Sequence, residues 1–425
     1  MSTHRSDGRR GISLDVQRLP SWLFTLSLLV LVACASPASA QSSGAQATDG
    51  WEAARWRFGP LAVTPKVELK NLGWDSNVFN ETENPKSDFT ATADAPIDWW
   101  LRFGRARLHG LDIFEGVYFA TYGSQSSFNQ RHELTLLVPL NRVRPYVGGL
   151  YMDTNERPGY EINARVHHVD SAANAGIVVR LASKVDLDVS GRQTEYRYDD
   201  DSAAGVLYSE TLDRRTENYG AQARYRYTSQ TTFTLLADSV RERFTTATER
   251  DNDGFRILPG VEFGEHAVIT GKAEIGYRKF NTLAPDMPDF SGLVANAELS
   301  HAFGGVTRVT AGVSRDIYFS YEITRPFYIQ PGFTLALTQR VTGPWDVQAR
   351  ASWYRLNYQQ AEVPGAAPLP ERIDRYRTFG GGVGYRLGRD IRVGFNVDSF
   401  SRDSIVANQA YDGIRGGMAV TYVVK

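Results

Sequence analysis

Along most of this chain apolar side chains recur at every second position, a spacing that belongs to strands with one apolar face. Phe89, Ala91, Ala93, Ala95, Ile97, Trp99 and Leu101 alternate with Thr90, Thr92, Asp94, Pro96, Asp98, Trp100 and Arg102. Trp345, Val347, Ala349, Ala351 and Trp353 alternate with Asp346, Gln348, Arg350, Ser352 and Tyr354, and Ile391, Val393, Phe395 and Val397 with Arg392, Gly394, Asn396 and Asp398. After residue 60 no comparable stretch shows the helical period. The polar faces carry too many charges to pack against a second sheet. The apolar faces are therefore expected to meet lipid, and the sheet to close on itself, because hydrocarbon tolerates no unpaired backbone donor.

The connections alternate in length. Tight ones fall at Asn141-Arg142, Ala182–Lys184, Thr228–Thr231, Gly264–His266, Gly304-Gly305, Val341–Pro344 and Gly388–Asp390. Longer polar ones lie near 155–160, 199–206, 246–253, 281–288, 359–371 and 401–410. Short turns at one end and long loops at the other are the layout of an outer-membrane barrel. A sandwich or propeller has no reason for it. The marks give about 18 strands, with spans such as 88–103, 160–181, 206–228 and 409–424. A count of 16 follows if Gly104 is not a turn. An even count places both termini at the short-turn side. The predicted fold is all-β, a transmembrane antiparallel β-barrel after a cleaved signal peptide.

That leader occupies residues 1–40. Arg5, Arg9, Arg10 and Arg18 precede an apolar run from Trp22 to Val32, followed by the cleavage pattern Ala38-Ser39-Ala40. The run is too short to span a membrane, which needs roughly 20 residues. Leu31-Val32-Ala33-Cys34 also resembles a lipobox, which would put a lipid on Cys34; removal of Cys34 with the leader is the alternative. Residues 41–59 read as a short periplasmic lead-in, and 60–425 as the barrel.

The polar face supplies the candidate lumen lining: Asp186, Asp188, Arg224, Arg226, Asp238, Arg256, Glu262, Lys272, Glu274, Arg278, Glu298, Arg308, Arg350, Arg386, Arg392 and Asp398. Both signs occur in similar number, which suits neutral or weakly charged polar solutes better than a single ion. Trp100, Tyr196, Tyr198 and Tyr354 on the same face could stack on sugar rings. Trp99, Tyr225, Tyr227, Phe263, Phe280, Phe303, Phe333, Trp345 and Trp353 lie near strand ends and read as interfacial girdles.

Composition removes other classes. Lys plus Arg number 47 against 48 Asp plus Glu, so no global basic field exists for nucleic acid. One cysteine excludes a disulfide scaffold or a Cys-rich zinc module. His167-His168 point to opposite faces of a strand and cannot share a metal. Asp199-Asp200-Asp201 could bind calcium, though an acidic loop tip is more often simply solvated. With no nucleophile elbow or phosphate loop, no catalytic, metal or cofactor site is expected, and the chain is read as not an enzyme.

The segment Gly73-Trp74-Asp75-Ser76-Asn77-Val78-Phe79, where the first strand runs into its loop, resembles the signature that opens the β-barrel porin type 2 family. Trp74 stands at that family's usual tyrosine. The resemblance implies an outer-membrane conduit for an exported exopolysaccharide, with the barrel-assembly machinery and a periplasmic export component as partners. The residues themselves leave a general or sugar-uptake porin open, as well as an envelope enzyme or a structural barrel with a blocked lumen. One departure is the end of the chain, Tyr422-Val-Val-Lys425, which lacks the terminal aromatic common in outer-membrane barrels.

Overall fold

The computed structural model describes residues 50–423 apart from 53, 202–204, 362–366, 368 and 389. The predicted leader, Cys34, the beginning of the lead-in and Val424 lie outside the described residues. A three-residue strand, β1 (Trp56–Phe58), precedes eighteen long ones. These are β2 (Leu61–Asp75), β3 (Asp88–Phe103), β4 (Ala106–Phe119), β5 (Ser127–Leu137), β6 (Val143–Glu156), β7 (Val166–Ala182), β8 (Val185–Tyr198), β9 (Arg214–Arg226) and β10 (Thr231–Phe244). They continue as β11 (Asn252–Phe263), β12 (Ile269–Thr282), β13 (Phe290–Phe303), β14 (Thr307–Phe319), β15 (Phe327–Arg340), β16 (Trp345–Gln359), β17 (Ile373–Leu387), β18 (Ile391–Asp403) and β19 (Tyr411–Val423). One helical turn, α1 (Tyr208–Leu212), lies between β8 and β9.

From β2 onward each strand pairs antiparallel with the next, and β19 returns to β2 through Val423↔Lys66, so the sheet is a closed barrel. The count is eighteen rather than sixteen because Gly104 does turn the chain. Its φ of +59° is left-handed, and Phe103 pairs directly with Ala106 across the hairpin. Two predicted strands reached too far. The span from 160 begins at Val166, and the span from 206 begins at Arg214, because the residues before them fold inward as a loop and as α1.

Burial is inverted relative to a water-soluble protein. Ile275 and Leu293 are 60% and 61% exposed on the outside, while Asp346 and Asp374 are fully buried inside. Tyr225, Tyr227, Phe303, Phe333, Trp345 and Trp353 are exposed as the girdle reading expects. Phe280 is not among them: it shares the inward parity of Glu274 and Arg278, is 2% exposed, and packs on Phe290 and Phe327. The described part of the lead-in tucks into the short-turn end. Ala54 and Trp51 pack against Ala62 and Trp100, and β1 pairs with β2.

Candidate functional site: the lumen and its closed mouth

Cross-strand register brings most of the inward charges into ion pairs. Asp186 accepts from Arg144 at 3.2 Å and lies 3.7 Å from Arg226. Asp188 accepts from the Tyr146 hydroxyl at 3.1 Å. Arg224 pairs with Glu262, and Arg256 grips Asp238 at 3.1 and 2.5 Å. Lys272 meets Glu274 at 3.6 Å and stands opposite Glu298, and Arg278 reaches Asp316 at 2.8 Å. Arg350 grips Asp398 at 2.7 and 2.5 Å, while Arg308 approaches the Ser300 hydroxyl at 3.4 Å. Arg392 and Arg386 converge on Asp346, at 2.6 and 3.4 Å. A wall built of such pairs has little net field for selecting ions by sign. Beside it a recess of about 150 Å³, open to the rest of the interior, is lined mainly by polar side chains of β8–β14 such as Asn218, Gln222 and Asn296.

At the long-loop end the interior is crossed by residues 157–165, which connect β6 to β7. Their contacts lie on the far wall. Tyr160 stacks on Tyr354 of β16 at 4.4 Å and lies tilted against Tyr376 of β17 at 4.6 Å. From β6 to β16 is ten strands one way round the ring and eight the other, so this lid spans the barrel. The Glu161 carboxylate accepts from the Ser320 hydroxyl at 2.6 Å and the Tyr321 amide at 3.3 Å, and Arg402 of β18 donates to the Glu161 carbonyl at 2.8 Å. Ile162 packs on Val166, Tyr208 and Leu212, so α1 thickens the same closure.

Buried arginines fix the surrounding loops. Arg250 donates to the carbonyls of Thr211 at 2.5 Å, Ser320 at 2.6 Å and Pro326. Arg372 joins Glu322 and Asp374, and Arg402 reaches Asp374 at 2.6 Å. Burial pushes the Glu161 carboxyl up to about 7, against the pull of the Ser320 hydroxyl and of Arg372 and Arg402, with Glu322 adding to the rise. Burial also lowers Arg250 to about 10, which leaves it cationic at neutral pH.

Residues 73–79 form the seam where the first barrel strand meets the last. A side chain at Gly73 would strike the Gly416 carbonyl oxygen and the Gly417 Cα, so only glycine permits this approach of β2 to β19. Asp75 accepts from Arg415 at 2.6 and 2.8 Å. The Ser76 amide donates to the Ile414 carbonyl at 3.0 Å, and the Ile414 amide returns a bond to the Ser76 hydroxyl at 2.8 Å. Asn77 donates to the carbonyls of Glu81 at 2.8 Å and Asp412 at 2.9 Å and accepts from the Glu81 amide at 2.9 Å. Phe79 packs edge-on against Tyr122 at 4.9 Å, while Trp74 is 53% exposed on the outer face.

The sequence model of the family described as "Putative beta-barrel porin 2" matches residues 49–423. The chain belongs to this family. No curated protein matches it. Among solved structures, OccK2 (OpdF) of Pseudomonas aeruginosa in complex with glucuronate is 10% identical, with a TM-score of 0.46 over 86% of this chain and 97% of that one. OccK5 (OpdH) of the same organism is 9% identical, with a TM-score of 0.44 over 85% and 97%. The FrpB iron transporter of Neisseria meningitidis is 9% identical, with a TM-score of 0.43, and this chain covers 62% of its length.

The family match over the closed barrel puts this β-barrel porin in the bacterial outer membrane as a porin-like channel. Its short turns face the periplasm and its long loops, with the lid, face outward. The four inward aromatics offered as sugar platforms are all engaged within the porin: Trp100 stacks on His109 at 4.1 Å, Tyr198 on His168 at 5.3 Å, Tyr196 lies under Arg214, and Tyr354 holds Tyr160. His167 bridges Asp153 and Asp199 at 2.9 Å on the outer face. Among the described residues no cluster suits a metal ion. The lid residues Tyr160 and Glu161, and the arginines 250, 372 and 402, were missed by sequence reasoning. The available signal was the run of inward tyrosines Tyr318, Tyr328, Tyr354, Tyr358 and Tyr376 beside the long loops.

Proposed function

We propose that this porin is a gated passive conduit by which an uncharged or weakly charged exopolysaccharide leaves the cell. The observation that carries the reading is the lid's Tyr160 packed against Tyr354 and Tyr376 of the far wall, stacked on the first and tilted on the second. A tyrosine pair presents flat apolar faces with polar rims, which suits the faces of sugar rings. In the closed state that platform is taken by the lid itself. The mutually neutralised wall supports the same cargo, because a neutral polymer slides past paired charges without being held by a net field. The outward direction rests on the family resemblance of residues 73–79. Energy would come from inner-membrane machinery through a periplasmic partner, and the candidate lumen residues named above would line the route.

Planar-bilayer recording tests the gate. Loss of two aromatic pairs, at about 0.5–1.5 kcal/mol each, should raise the open probability of Tyr160→Ala roughly five- to 150-fold. Unchanged conductance would remove the lid from the mechanism. Deletion of the gene tests the cargo: surface polymer should fall, and normal polymer with impaired growth on a sugar would turn the reading to uptake.

A further inference from the structure

The outer face of β16 and β17 carries a charge arrangement that transport through the lumen does not use. Along β16 the residues facing lipid are Trp345, Val347, Ala349, Ala351 and Trp353, and the next outward position is Arg355. Its direction is fixed by its neighbours: Tyr354 points inward to Tyr160, and Leu356 is 1% exposed in an interior cluster. The residue directly opposite on β17 is Arg375, set between the inward Asp374 and Tyr376. Two guanidinium groups thus face one another across a strand pair on the outer surface. Both are exposed, and neither has an ion pair or hydrogen bond among the described residues.

Like charges placed directly opposite cost stability unless an anion is shared. The carboxylate standing opposite Arg375 on β18, Asp403, is taken by Arg377 one step below at 2.8 Å, whereas Arg197 and Arg215 elsewhere on the outer face share Glu195 at 3.1 and 3.5 Å. The height is also specific. Arg355 stands two residues, about 7 Å, above Trp353, whose ring packs against Phe379 on the outer face. Girdle aromatics mark the boundary of the hydrocarbon, so the arginine pair lies at headgroup level on the outward-facing side.

We propose that Arg355 and Arg375 form a clamp for the phosphate of an outer-leaflet phosphoglycolipid of the lipopolysaccharide type. Guanidinium forks match phosphate oxygens two at a time, and a phosphate between them converts repulsion into paired charge-assisted bonds. The acyl chains of the same molecule would lie against Trp353 and Phe379. A lipid is favoured over a free anion because the charge pair and the apolar surface are continuous on one face.

The test uses the full barrel, purified in detergent and exposed to diphosphorylated lipid A or its dephosphorylated form, with retained lipid read by native mass spectrometry. Wild-type protein should retain the phosphorylated form, and an R355Q/R375Q variant should bind it at least about tenfold more weakly. An R197Q/R215Q control, whose arginines already share Glu195, should match wild type. Equal retention by R355Q/R375Q, equal binding of dephosphorylated lipid by wild type, or displacement by equimolar inorganic phosphate would each overturn the proposal. The dephosphorylated arm needs only wild-type protein, so it discriminates whether or not the variant folds.

Discussion

Asn77→Ala should open the barrel at its seam. The Asn77 side chain is 1% exposed and makes three hydrogen bonds, two to the Glu81 backbone and one to the Asp412 carbonyl. The last of these ties positions 335 residues apart in sequence. Each such bond contributes about 1 kcal/mol net, and stranding its partner in a buried site costs at least as much. A loss of about 3 kcal/mol follows, near the top of the range for a single substitution. The assay is urea unfolding in lipid vesicles followed by tryptophan fluorescence, with the midpoint shift multiplied by the slope. Asn77→Asp sharpens the result. It keeps the acceptor for the Glu81 amide but turns a carboxylate toward two carbonyls, so it should be at least as damaging as alanine. Glu83→Ala, exposed in the same loop, should stay within about 0.5 kcal/mol. If Asn77→Ala also stayed within that margin, the seam would owe its closure to the strand ladder alone and the reasoning would fail.

Three further outcomes are expected. Gly73→Ala drives a methyl group into the backbone of Gly416 and Gly417, which cannot yield without parting β2 from β19. The fraction that migrates as folded barrel on unboiled gels should drop, and full folding would contradict the close approach. Asp346→Ala leaves the Arg392 and Arg386 guanidiniums without their shared, fully buried carboxylate. Breaking a buried pair from one side costs about 3–5 kcal/mol, and an Asp346→Ala, Arg392→Leu double variant should recover part of that in the same urea assay. The lid should respond to pH through Glu161. Its carboxyl rises from 4.5 to about 7 when the lid is closed, so the closed state holds a proton that the open state releases. Closure is therefore fully favoured below about pH 4.5 and is lost as pH rises through about 7. Conductance should climb between those limits, and Glu161→Gln should flatten the profile. An unchanged profile in that variant would assign the response to another group.

The strands were legible because turn and period agreed. The span 88–103 ends where Gly104 enters a left-handed turn, and every second residue before it is apolar. The same alternation misleads at Tyr160, Ile162, Ala164 and Val166. In the lid the adjacent Glu161 and Ile162 are both buried, so burial there does not follow the strand period even though the apolar spacing does, and the spacing alone cannot separate wall from lid. Only the contacts of Tyr160 with the opposite strands do that. The charges on the polar face could be read from sequence but not paired. Asp346 and Arg392 lie 46 residues apart on strands that are not neighbours, and their meeting depends on the register of β16, β17 and β18. Phe280 departs from the girdle for a related reason: it lies near a strand end, but parity decides which face a residue occupies, and its parity is inward.

The residues of the family-like segment 73–79 have mechanical reasons. Glycine admits the last strand, aspartate holds Arg415, serine exchanges backbone bonds with Ile414, and asparagine caps the loop onto Asp412. Val78 adds a further role, because its carbonyl accepts from Arg157 at 2.7 Å and Arg157 is the first residue of the lid. On the other side of the seam Asn163 donates to Gln409 in the loop before β19, at 3.3 Å. The lid is thus moored at the seam as well as on the far wall. A lid held only by Tyr160 and Glu161 could swing away as those contacts break. One that is also tied to the closing strands can open only by pivoting on Arg157 and Asn163, which keeps the released segment at the mouth instead of free in solution. Severing the Arg157 contact while sparing Tyr160 should therefore change how far the lid travels more than how often it leaves the wall.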